Sequence, residues 1–80
     1  MDDNAVLNRI GKLADEELEL EESHAESPLS TEQKQRLKAI EVELDQCWDL
    51  LRQRRARRHA GQDPDLAAVR NEEVVEKYLQ

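Results

Sequence analysis

The sequence predicts an all-α protein: an antiparallel two-helix hairpin, coiled-coil-like, with a short C-terminal helical arm. Two such chains are expected to dimerise into a four-helix bundle. Three observations lead there. Charged residues are 39% of the 80-residue chain and apolar ones 38%, with two Gly, two Pro and two aromatics. That is the composition of long helices, not of a β-sandwich or an aromatic-rich nucleic-acid sheet. Apolar residues recur at spacings of three and four in two long runs. A single Ser-Pro turn separates the runs.

The first helix is expected over about residues 3–26. Asp2 and Asp3 supply a cap and first-turn negative charge. Val6, Ile10, Leu13, Glu17, Leu20 and His24 then form one stripe, which Leu7 and Ala14 widen. Gly11 weakens this helix by about 1 kcal/mol against Ala. Pro28 excludes the α region at Ser27 and ends it. Ser30 and Gln33 have the spacing of a capping box, which starts the second helix, over about residues 31–60. There Leu37, Ile40, Leu44, Cys47 and Leu51 form a heptad seam for the core or the dimer, and Arg54 and Arg58 continue its spacing. Gly61 is a natural left-handed terminator.

Residues 1–61 therefore form the hairpin and 62–80 the arm. Asp63-Pro64 opens a helical turn, in which Leu66 and Val69 are candidates for burial. Asn71 can cap a second short helix carrying Val74, Val75, Tyr78 and Leu79. The arm packs on its own hairpin or on a partner chain. At this length a lone core is thin, which favours a second copy.

The segment Glu43-Leu44-Asp45-Gln46-Cys47-Trp48-Asp49-Leu50-Leu51-Arg52-Gln53-Arg54-Arg55-Ala56-Arg57-Arg58 is distinctive. With Asp63-Pro64-Asp65 and Val74-Val75-Glu76-Lys77-Tyr78-Leu79-Gln80, it resembles a small actinobacterial protein family, about 80 residues long, catalogued as a domain of unknown function. Many members have Glu-Glu-His where this chain has Glu16-Glu17-Leu18, so no role resting on that histidine carries over. The resemblance implies a bacterial cytoplasmic protein and supplies no activity.

Charge is unevenly distributed. The chain carries −7 overall, with −7 on residues 1–30, +3 on 31–60 and −3 on 61–80. Asp15, Glu16, Glu17, Glu19, Glu21, Glu22 and Glu26 form an acidic block. Arg52, Arg54, Arg55, Arg57 and Arg58 form a basic one, pointing all round the second helix. They are candidate interaction residues. One reading makes them a phosphate-binding knob for RNA or nucleoprotein. The other, favoured because the chain is acidic and no aromatic stands among them, makes them partners of the helix dipole and of nearby acids. In an antiparallel hairpin the blocks lie at opposite ends, about 28 Å apart, so they can meet only across an antiparallel dimer.

Trp48 is the remaining interaction candidate, either central to a dimer or the anchor for another protein. Cys47, on the seam, is most simply a small core residue. Glu21 and His24 have the Glu-x-x-His spacing of di-iron bundles. One such motif per chain supports only a weaker alternative, a dimeric metal-binding bundle, and no metal ligand is assigned. No phosphate loop, nucleophile triad or Cys cluster occurs, so no enzyme and no cofactor are expected. No secretory signal or membrane span is expected either, and the single cysteine suits a reducing cytoplasm.

Overall fold

A computed structural model describes residues 2–79, with side chains through Glu76. It is all-helical. Helix α1 spans Asp3–Glu26, α2 spans Thr31–His59, a 3₁₀ turn covers Pro64–Leu66, and α3 spans Glu72–Leu79. The two long helices form an antiparallel hairpin, and the arm folds back along α2. The molecule measures 50 × 25 × 16 Å.

Local chemistry sets each boundary. The Asp2 carboxylate accepts from the Ala5 N–H at 2.8 Å and caps α1. Ser27 is extended, at φ −158° and ψ 155°, as the following proline requires. Ser30 and Gln33 close a reciprocal capping box: the Gln33 N–H donates to Ser30 Oγ at 3.1 Å and the Ser30 N–H to Gln33 Oε1 at 2.8 Å. Helix α2 ends in a Schellman motif. The Gln62 N–H reaches the Arg57 carbonyl at 2.7 Å, the Gly61 N–H reaches that of Arg58 at 3.2 Å, and Gly61 sits at φ +73°. In the arm, Asp63 caps the 3₁₀ turn through the Asp65 N–H, and Asn71 caps α3 through the Val74 N–H at 3.0 Å.

Among the described residues the core is thin. Val6, Ile10, Leu13, Ile40, Leu50 and Val75 are buried. Leu44, Cys47, Leu51 and Ala67 pack against the Val6–Ile10–Leu50 cluster. Each fully buried side chain of this size contributes about 1.5–3 kcal/mol. One flank of the hairpin is stitched by ion pairs from Arg9 to Glu43 at 2.7 Å and from Arg36 to Glu16.

The structure departs from the expected packing in the arm. Leu66 and Val69 are 66% and 58% exposed, so neither buries. Between them only Ala67 turns toward the core, because backbone carbonyls and Arg70, not apolar side chains, hold this stretch to α2. In α3, Val75 is buried and Val74 exposed, while the Tyr78 and Leu79 side chains lie outside the described residues.

Candidate interaction surface

Two polar nodes tie the arm to the hairpin, and they account for part of the arginine block. The first is Arg54, almost fully buried. Its Nε donates to Asp3 Oδ1 at 2.5 Å, and its Nη1 to Asp65 Oδ1 at 2.9 Å and the Pro64 carbonyl at 3.2 Å. One guanidinium thus joins the start of α1, the end of α2 and the arm, which suits a planar fork with five donors. Arg58 adds a second contact to Asp3, at 2.8 Å. The two cations, Arg58 first, hold the Asp3 carboxyl down at about 2, from 3.8.

The second node is Asp49, which has no solvent-exposed surface. It lies on the face of α2 turned away from α1, and the arm covers it. Arg70 grips both its oxygens, one at 2.8 Å. Gln53 Nε2 donates to Asp49 Oδ2 at 3.0 Å and to the Ala68 carbonyl at 2.8 Å. Gln46 donates to the Arg70 carbonyl at 3.3 Å. Arg70, then Gln53, lowers the Asp49 carboxyl below its ordinary value in spite of burial. Neither Asp49 nor Arg70 stands out in the sequence. A lone acid among Trp48, Leu50 and Leu51, and a lone cation after Val69, were the available signals, and nothing along the chain joins them.

The remaining site residues divide by face. Of the seam, Ile40 is buried, and Leu37, Leu44, Cys47 and Leu51 are half-buried. Burial pushes the Cys47 thiol up, away from the reactive thiolate. Arg52 lies 3.9 Å from Asp49 and is half-exposed. Arg57 makes a long 3.4 Å contact with Gln62. Arg55 is exposed. Glu21 and His24 are both exposed near the end of α1, and no group of three or more His, Cys, Asp or Glu stands together among the described residues.

Trp48 is 47% exposed, and so, at 48% and 54%, are Leu7 and Leu18. Leu7 and Leu18 share a face of α1 with Gly11 and Ala14, at spacings of four, three and four. That face lies about 160° round the helix from Arg9 and Glu16. Trp48 shares a face of α2 with Leu37 and Leu44, likewise opposite the stitched flank. The hairpin therefore has one flank closed by ion pairs and the arm, and one open apolar flank. On the ion-paired side an open groove of about 590 Å³ runs between α2 and the arm, lined by Val42, Cys47, Leu50 and Val69 together with Lys38 and Glu72.

The chain matches, over residues 2–80, a family described as "Protein of unknown function (DUF2630)". It is similar to an uncharacterized protein of Mycobacterium tuberculosis and to one of Mycobacterium bovis. Each is 48% identical over 77 residues, which are 95% of this chain and 88% of the relative. No solved structure matches. Among the described residues no helix is long and apolar enough to cross a membrane.

Proposed function

The chain belongs to the DUF2630 family of proteins of unknown function, which assigns it no activity, and we propose that it is a non-enzymatic interaction protein: a small cytoplasmic bacterial adaptor or regulator working by protein–protein contacts. The observation that carries this reading is the open flank. A chain with so thin a core leaves its one tryptophan and two leucines half in water, on a single side of the hairpin. Grouped exposure of that kind marks a contact surface, whereas scattered exposure is ordinary. A rigid aromatic beside aliphatic neighbours is the usual anchor of such a surface.

The nucleic-acid alternative is weakened by the use made of the arginines. Arg54 and Arg58 are engaged by Asp3, and Arg54 also by Asp65. What remains outward is a smaller basic patch at one end of a chain of net charge −7. A polyanion would meet that patch and be repelled along much of α1.

Affinity capture from the native cell, with wild type and Trp48→Ala in parallel, tests the reading. The expected result is a protein retained by wild type and lost in Trp48→Ala, with both variants equally helical. Nucleic acid released steeply by salt, and insensitive to Trp48→Ala, would replace this reading with the basic-patch one.

A further inference from the structure

Resting on that reading of the open flank, we infer that its occupant is a second copy of this chain, packed antiparallel about a two-fold axis through the middle of the flank. The ion pairs Arg9–Glu43, Glu16–Arg36 and Asp3–Arg54 fix which residues of the two helices are level. In that register Leu7 is level with Trp48, Gly11 with Leu44, and Leu18 with Leu37. The flank thus has large apolar groups at each end; between them α1 presents Gly11 and Ala14, and α2 presents Leu44 and Glu41. A two-fold axis through its centre lays Trp48 of one copy on Leu18 and Leu37 of the other, twice over.

Gly11 supports the central approach. A Cβ built on it meets nothing within 4 Å, so the chain's own fold does not require a glycine there. A helix-weakening residue in the centre of the patch leaves room for another helix.

Charge selects the orientation. Beyond Trp48 the flank continues to Arg52 and Arg55, and beyond Leu18 to Glu21 and Glu22. Arg55 and Glu22 are about 30 Å apart along one hairpin, some three Debye lengths at 0.1 M salt. They cannot pair within a chain. An antiparallel mate brings each group against its opposite, whereas a parallel mate sets arginine on arginine and glutamate on glutamate. A nucleic acid matches one end only. The available area also fits: a face 50 Å long and 16–25 Å wide offers about 800 Å² or more, the share each partner gives to a stable interface. Two groups oppose the contact. Lys34, exposed and about five turns from Arg52 on the same face of α2, comes level with the mate's Arg52. Glu41, exposed between Leu37 and Leu44, lies near the axis, so the two copies bring their Glu41 carboxylates together.

Sedimentation equilibrium from micromolar to submillimolar protein tests the proposal, with circular dichroism checking that each variant is folded. Wild type is expected to dimerise. Trp48→Ala, half-exposed and so dispensable for the single chain, should weaken the dimer about thirtyfold or more. Arg55→Glu should weaken it severalfold, and adding Glu22→Lys should restore it. Glu41→Gln should tighten it. In a Cys47→Ser background, Ala14→Cys should form an intermolecular disulfide readily and Leu7→Cys should not. A monomer at all concentrations overturns the proposal, as does a Leu7→Cys chain that cross-links to itself. A monomer that still captures another protein through Trp48 sinks the dimer and leaves the interaction reading standing. A monomer whose captures ignore Trp48 sinks both.

Discussion

Two neighbouring residues of α2 give one residue type opposite duties. Arg54 and Arg55 are adjacent in sequence and 100° apart around the helix. Arg54 faces the seam, meets Asp3 and Asp65, and is buried, whereas Arg55 stays in water. Arg54→Ala removes charge-assisted bonds whose partners can rehydrate, since Asp3 and Asp65 are 37% and 68% exposed at their side chains. A loss of about 2 kcal/mol is expected, within the range for hydrogen bonds to charged groups. Arg58→Ala, whose side chain is half-exposed, should cost less than about 1 kcal/mol. Urea unfolding of the two variants should separate them clearly. Equal costs would mean that the Arg54 node does not tie the three elements together.

The arm is held more by polar ties than by apolar burial. Val75 is its one buried apolar side chain among those described, and Ala67 packs against the Val6–Ile10–Leu50 cluster. Polar ties add Arg70, Gln53 and Gln46 on one side and Arg54, to Asp65 and the Pro64 carbonyl, on the other. Arg70→Ala would leave Asp49 buried with only the more distant, half-exposed Arg52 beside it, a cost of about 3 kcal/mol if the arm stayed docked. The chain has a cheaper response, because lifting the arm returns Asp49 to water. Arg70→Ala should therefore release residues 68–79 while the hairpin, and the turn held by Arg54, persist. Hydrogen exchange should show lost protection in α3 and unchanged protection around Val6, Ile40 and Leu50. Helix α1 offers a change of opposite sign. Gly11→Ala meets no atom and should add about 0.5–1 kcal/mol to the stability of the single chain. At Gly61, with φ +73°, the same replacement should cost about 1 kcal/mol.

For the whole molecule, acidity acts in two directions. The Asp3 carboxyl lies at about 2 when folded and 3.8 ordinarily. Its contribution is complete above pH 3.8 and is lost as pH falls through about 2. Asp49, lowered by Arg70 and Gln53, has the same sign. Glu76 has the opposite sign. Asp45 beside it, with some burial, raises its carboxyl above 4.5, so its contribution is full below pH 4.5 and is lost as pH rises through the raised value. Acidifying from neutral should first firm the docking of α3 and then, below about pH 4, destabilise the fold. Asp45→Asn should abolish the first phase and leave the second. Thermal melts across pH, followed by circular dichroism, would read both, and a single monotonic fall in wild type would contradict the Asp45–Glu76 account.

What the amino-acid sequence determined by itself was the helical architecture and its punctuation. The Asp2 cap, the Ser30–Gln33 box, the glycine terminator at Gly61 and the Asp63 and Asn71 caps act within a few residues, so local chemistry is enough to read them. The antiparallel hairpin follows from so short a turn, and the family was legible from the segment around Trp48. Which way the side chains of α2 were used was decided only in the tertiary structure. The stripe could name Ile40, Leu44, Cys47 and Leu51, but α2 has two covered faces, and the arm supplies the second. That is why Asp49 is buried while its neighbour Trp48 stands half in water, and why Arg54 is buried against Asp3 and Asp65. Asp49 and Arg70 are 21 residues apart, and Arg54 and Asp3 are 51 apart. No local pattern ranks one charge pair over another at such separations, because the strength of each depends on the water that folding removes from around it.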